Sequence, residues 1–182
     1  MLIKRNDCCL LVIDVQSRLL PAMYAAEDVA SRCRDLLSAA AEFDIPVLVS
    51  EHYPQGIGNT AGAIADAVGD ADGTVMEKIH FSCFAEPSVR RRIRAAGRGT
   101  LILTGIEAHV CLGQTALDLV SAGFRVVVSS DGTGSQTRLD HATALHRLER
   151  AGAEVAATAQ ISDALYDDAP MGSAPTHLER IE

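Results

Sequence analysis

The chain has 182 residues, 48% of them hydrophobic, and a formal net charge of −8. That length suits one domain with a three-layer core, the apolar content excludes disorder, and the longest apolar runs, such as Val126 to Val128 with their neighbours, are too short to span a bilayer. The negative charge is not offset by a Lys/Arg stripe, so neither nucleic acid nor membrane is an expected partner.

In chain order, Met1 to Lys4 lead to Asp7 without a long apolar stretch, so no secretion signal is read and the expected location is the cytoplasm. Cys8 to Ile13 is a continuous apolar run and reads as the first strand. A helix is expected over Val29 to Phe43, a second strand over Pro46 to Val49 and a short third over Thr74 to Met76. A helix over Glu86 to Ala96 follows; its Arg90, Arg91, Arg92 and Arg94 form a solvated face. Thr100 to Leu103 is the fourth strand, Val110 to Ala122 a helix stopped by Gly123, and Arg125 to Val128 the fifth strand. Leu139 to Ala151 is a further helix and Glu154 to Ala157 the sixth strand. Apolar runs without alternation are strands buried on both faces. Their alternation with helices predicts an α/β fold, a three-layer α/β/α arrangement around a central, mostly parallel six-stranded sheet of Rossmann-like type. Residues 1–166 form the expected domain. The tail, 167–182, rich in Pro, Gly and Ser, is expected to be loosely ordered or engaged with a neighbouring subunit.

In such a sheet, the strands' carboxyl ends share one edge, where ligands bind. The first strand runs into Asp14, a carboxylate that needs a partner if buried. The third leads through Glu77 to Lys78. The fourth leads to Cys111 at the start of a helix, where the dipole and unpaired amides are expected to lower the thiol's pKa, with Lys78 adding to the effect. Asp14, Lys78 and Cys111 are therefore the candidate catalytic set, titrating together. His80 and His109 are rival bases, but His109 precedes the cysteine on the same turn and is expected to point away. Five cysteines, with Cys8 and Cys9 adjacent and no C-x-x-C pair, fit neither a disulfide framework nor a zinc ribbon. Glu51 beside His52 is a weak metal signal, so no metal and no cofactor are expected. His52, Tyr53, Phe81 and Phe84 fall on loops leaving the catalytic edge and are candidate pocket walls for a small-molecule substrate, with Gln16 and Leu20 as a lid. Glu107 is expected to make a structural hydrogen bond; Asp131 and Cys83 are assigned to structure or subunit contacts.

The motifs Leu11-Val12-Ile13-Asp14-Val15-Gln16, Glu77-Lys78 before Phe81-Ser82, and Thr104-Gly105-Ile106-Glu107-Ala108-His109-Val110-Cys111 together resemble the isochorismatase-like cysteine hydrolases, over residues 8 to 165. The resemblance implies an Asp, Lys, Cys triad at Asp14, Lys78 and Cys111. It also implies a cis peptide at Ile106–Glu107, an oxyanion hole from the backbone amides of Glu107 and Cys111, and packing into homodimers or larger homo-oligomers. The segment Ser50 to Gly58 lacks the metal-binding Asp and two His of nicotinamidases and looks most like the isochorismatase domain-containing branch. The activity so implied is cleavage of a C–N bond, amide or ureido, through a thioester. Vinyl-ether hydrolysis of the isochorismatase type, and a thiol redox or binding role on the same fold, stand as alternatives.

Overall fold

The computed structural model describes residues 2–168, so most of the tail, 169–182, lies outside the described residues. Six strands, β1 (Cys8–Ile13), β2 (Val47–His52), β3 (Thr74–Lys78), β4 (Thr100–Ile106), β5 (Arg125–Gly134) and β6 (Glu154–Ala156), form one sheet in the order β3-β2-β1-β4-β5-β6. Every neighbouring pair is parallel. Among the described residues, six α-helices fill the connections, α1 (Ala26–Glu42), α2 (Pro54–Ile57), α3 (Gly62–Asp70), α4 (Pro87–Ala95), α5 (Cys111–Ser121) and α6 (Arg138–Arg150), and α7 (Thr158–Asp167) follows β6.

The central strand explains the layering. All six residues of β1 are buried, and alternate side chains feed two separate cores. Cys8, Leu10 and Val12 pack with Val29, Leu36 and Leu37 of α1, Ile64 and Val68 of α3, and Ile161 and Leu165 of α7. Cys9, Leu11 and Ile13 pack with Val89 and Ile93 of α4, Leu112, Ala116 and Leu119 of α5, and Leu148 of α6. Each fully buried Leu, Ile or Val contributes about 1.5–3 kcal/mol by leaving water, so both cores are needed to hold an uninterrupted apolar strand between them. At the edge, β3 is only partly covered.

Helices α2, α3 and α7 are not among the expected elements. Gly62 and Gly69 dilute the apolar stripe of α3, and α7 exposes one face while burying Ile161, Leu165 and Tyr166. Tyr166 lies edge-on against Phe43 at 4.8 Å, tying α7 to the end of α1. Among the described residues, no helix is long and apolar enough to cross a membrane.

Four strands run past their apolar cores: β2 through Ser50, Glu51 and His52, β3 through Glu77 and Lys78, β4 through Gly105 and Ile106, β5 on to Gly134. Gly105 is what lets β4 stay against β1 there. It has φ +115°, and a Cβ at this position would lie 2.1 Å from the Ile13 carbonyl oxygen. No L side chain fits that approach.

Candidate active site

Asp14 follows β1 directly, in a left-handed conformation (φ 52°) that Asp tolerates better than most residues. Its N–H donates to Ser50 C=O at 3.0 Å, and its own carbonyl accepts from Gln16 N–H at 2.7 Å, so the backbone is pinned on both sides. In register, Ile13 faces Ser50 and His52 faces Lys78, which sets the tail of β2 between the acid and the lysine.

Asp14 and Lys78 form an ion pair of 2.7 Å with both side chains fully buried. Two buried charges persist only with near-complete hydrogen bonding. Lys78 Nζ satisfies this with three acceptors, Asp14 Oδ2, His80 C=O at 3.2 Å and Phe81 C=O at 3.1 Å. The second carboxylate oxygen, Asp14 Oδ1, accepts from Ser50 Oγ at 2.7 Å. Burial works against the ammonium, but the Asp14 carboxylate, by its charge and its hydrogen bond, outweighs it and holds Lys78 above the usual lysine range.

Cys111 opens α5 and is 6% exposed. Its thiol interacts with both Asp14 and Lys78. The expectation of a lowered thiol pKa is corrected here: burial and the Asp14 charge push the Cys111 thiol up, and Lys78 only partly opposes them. The resting group is a neutral thiol beside a carboxylate, because removal of water and the Asp14 charge together cost the thiolate more than one shared cation returns. The peptide between Ile106 and Glu107 is cis. In the turn before α5, Ala108 N–H bonds Gly134 C=O, while Val110 and Leu112 N–H both bond Glu107 C=O. The N–H groups of Glu107 and Cys111 take no part in these bonds.

The expected pocket walls divide. His52 lies with its ring 5.5 Å from that of Phe81, beside Lys78; burial and the Lys78 charge hold its imidazole below the usual histidine range, hence neutral. Phe81 is exposed at the same rim. Tyr53, also exposed, lines a surface cavity of about 240 Å³ with Glu77, Lys78, Ile79 and Glu86, which Cys111 does not line. Three assignments need correction. Phe84 is a core residue, its ring 5.8 Å from Phe124 and covered by Arg94, because the loop carrying it is drawn onto α4 and α5. Gln16 is fully buried and acts as a clasp: Oε1 accepts from His52 N–H at 2.7 Å, and Nε2 donates to His52 C=O at 3.1 Å and Gly58 C=O at 2.5 Å. Leu20 sits in a short 3-10 turn packed against the α1-side core.

Glu107 binds Gln136 through its carboxylate, at 3.1 Å to the backbone N–H and 3.3 Å to Nε2. His80 pairs with Glu86 at 2.9 Å and His109 with Ser135 Oγ at 2.9 Å, so both rival bases are engaged away from the thiol. Glu51 is occupied by Thr60 and Asn59. Among the described residues, no group of three His, Cys, Asp or Glu side chains could hold a metal ion. A wider cavity of about 830 Å³ runs along β6 and α7, remote from the buried trio. Sequence reasoning missed Ser50 as a ligand of Asp14; its place opposite Ile13 in the register was the signal that could have found it.

The Isochorismatase domain model matches residues 8–160. Isochorismatase domain-containing protein 1 of Salmo salar is 37% identical over 163 residues, covering 88% of this chain and 54% of the relative. This chain therefore spans about half the length of the first curated relatives it matches. Among solved structures, the MAR1 ribonuclease of Caenorhabditis elegans superposes with a TM-score of 0.84 at 28% identity, covering 91% of this chain and 84% of that one. The YcaC gene product of Escherichia coli, an octameric hydrolase of unknown specificity, gives 0.85 at 22% identity, covering 92% and 83%. With the family model covering most of its length and the same three-layer fold in its structural neighbours, the chain belongs to the isochorismatase family.

Proposed function

We propose that the chain is a cysteine hydrolase that cleaves the C–N bond of a small amide or ureido substrate through a thioester. The observation that carries this reading is the buried 2.7 Å Asp14–Lys78 pair with the Cys111 thiol interacting with both. A charge pair without water is costly to keep, and here it sits against a nucleophile. Because the resting thiol is neutral, attack and proton transfer are coupled. As the sulfur adds to the carbonyl carbon, Asp14 takes its proton and Lys78 holds the negative charge passing through the site. The Glu107 and Cys111 amides receive the developing oxyanion, each donor worth about 2.7–4 kcal/mol in comparable sites. Asp14 then passes its proton to the leaving nitrogen, the C–N bond breaks and a thioester remains. A water deprotonated by Asp14 attacks the thioester and releases acid and thiol. The neutral His52 and the Phe81 ring form the rim the substrate meets.

The octameric YcaC product supports a homo-oligomeric state for this chain, which light scattering on the eluted protein reads directly. The test of function is ammonia or amine release across a panel of small amides and ureido acids, with Cys111→Ala as control. Turnover by the wild type and at least a thousandfold loss in the variant is the result expected when a nucleophile is removed. Full activity in Cys111→Ala refutes the scheme. Cleavage of a vinyl ether or an RNA oligonucleotide, or peroxide-dependent thiol chemistry without amide turnover, would reassign the site.

A further inference from the structure

We propose that Ser50, itself held by Cys83, is a positioning residue for proton transfer between Cys111 and Asp14; the inference rests on the cysteine-hydrolase reading above. The Asp14 carboxylate has two oxygens and each has a fixed donor. Lys78 holds Oδ2, and its ammonium is immobilised by the His80 and Phe81 carbonyls. Ser50 holds Oδ1 at 2.7 Å.

A serine hydroxyl has one proton and rotates freely unless something fixes it. Here Cys83 Sγ donates to Ser50 Oγ at 3.3 Å, which occupies a lone pair and directs the hydroxyl proton to Asp14. Burial pushes the Cys83 thiol up to about 11, so it remains an S–H donor. Cys83 is anchored in turn: its N–H donates to Thr115 Oγ1 at 2.9 Å, and that hydroxyl donates to Cys111 C=O at 2.7 Å. The loop around it is tied to α5 by Ser82 Oγ, which donates to Asp118 at 2.6 Å and accepts from Phe84 and Ala85 N–H. The hydrogen bonds thus run from Asp14 through Ser50, Cys83 and Thr115 to the backbone of the residue whose thiol gives up the proton. All four of these side chains' residues are buried, so water cannot substitute for a missing link. Without Ser50, Lys78 alone holds the carboxylate, through Oδ2, and Oδ1 loses the donor that fixes its direction and tempers its basicity.

The experiment compares Ser50→Ala, Ser50→Thr, Cys83→Ala and Cys83→Ser with wild type, using a panel amide that wild type but not Cys111→Ala hydrolyses, with thermal melts to show that each variant is folded. Ser50→Ala is expected to lower kcat by about 10- to 100-fold with KM nearly unchanged, the loss of one hydrogen bond to a charged group. Ser50→Thr keeps the hydroxyl and restores most of kcat; Cys83→Ser keeps a donor and exceeds Cys83→Ala. A second readout needs no substrate: iodoacetamide alkylation of Cys111 at neutral pH, followed by peptide mass. It rises several-fold in Ser50→Ala, because a carboxylate deprived of a donor takes the thiol proton more readily. Wild-type kcat and alkylation in folded Ser50→Ala, a loss confined to KM, or no rescue by threonine overturns the proposal. Failure of the parent reading is seen separately, as activity surviving in Cys111→Ala.

Discussion

Replacing Asp14 by Asn separates the two things the carboxylate does to Cys111. Its charge raises the thiol's pKa, while as a base it removes the thiol's proton during attack. Asn keeps the shape and deletes both effects, leaving Lys78 as the unopposed neighbour of the sulfur. For two unit charges about 4 Å apart in a protein-like effective dielectric near 20, the interaction is about 4 kcal/mol, or about 3 pKa units. The Cys111 thiol should therefore ionise far more readily in Asp14→Asn, with the new thiolate pairing with Lys78 and easing its loss of partner. At neutral pH, iodoacetamide should alkylate Cys111 at least ten times faster than in wild type, by the same reckoning. Hydrolysis should fall by about 10²- to 10⁴-fold, the usual contribution of a positioned base and acid. Because unfolding would also expose the buried thiol and abolish turnover, a thermal melt must first show that Asp14→Asn is folded. Alkylation equal to or slower than wild type in a folded Asp14→Asn variant would refute the electrostatic argument.

Lys78→Met removes the cation but not the buried acid, so it should cost about 3–5 kcal/mol and lower the melting temperature by roughly 6–20 °C, read by calorimetry at neutral pH. An unchanged melting temperature would mean that Asp14 does not depend on Lys78. Gly105→Ala puts a methyl 2.1 Å from a backbone oxygen of β1 at φ +115°, and should lose at least about 3 kcal/mol in a urea titration. A wild-type midpoint would show that β4 can move away from β1. Gln16→Ala strips partners from His52 N–H, His52 C=O and Gly58 C=O; hydrogen exchange over residues 52–60 should accelerate, for a local cost of about 1–3 kcal/mol. Unaltered exchange there would show that the clasp is idle.

Much of the architecture was legible because apolar runs without alternation leave few options: a strand that cannot face water on either side must be covered on both. β1 follows that logic from end to end. The ends of β2, β3 and β5 do not, since Ser50-Glu51-His52, Glu77-Lys78, and Ser129 and Thr133 remain paired in the sheet while carrying polar groups. Periodicity stops where the chemistry starts, so the expected strands ended just short of the site. The helix α3 was hidden by its glycines. α7 was hidden by its context, since Tyr166 and Leu165 gain their value only from packing on α1.

The same distinction explains which site residues could be read. An acid and a lysine at the ends of buried strands demand compensation, since each alone would cost several kcal/mol, and that cost points from one to the other across 64 positions. Serine and cysteine make no such demand, being cheap to bury with or without a task. Ser50 and Cys83 were accordingly silent until the parallel register set Ser50 opposite Ile13 and the loop after β3 brought Cys83 within 3.3 Å of it. The state of Cys111 was misread for a related reason. The helix terminus is visible in sequence, but the loss of water around the sulfur depends on how closely two cores shut over the strand ends. Here that loss, together with the facing carboxylate, outweighs the lysine. A nucleophile kept protonated until its base acts places the burden of the reaction on the exact direction of the Asp14 oxygens, and hence on the groups that fix that direction.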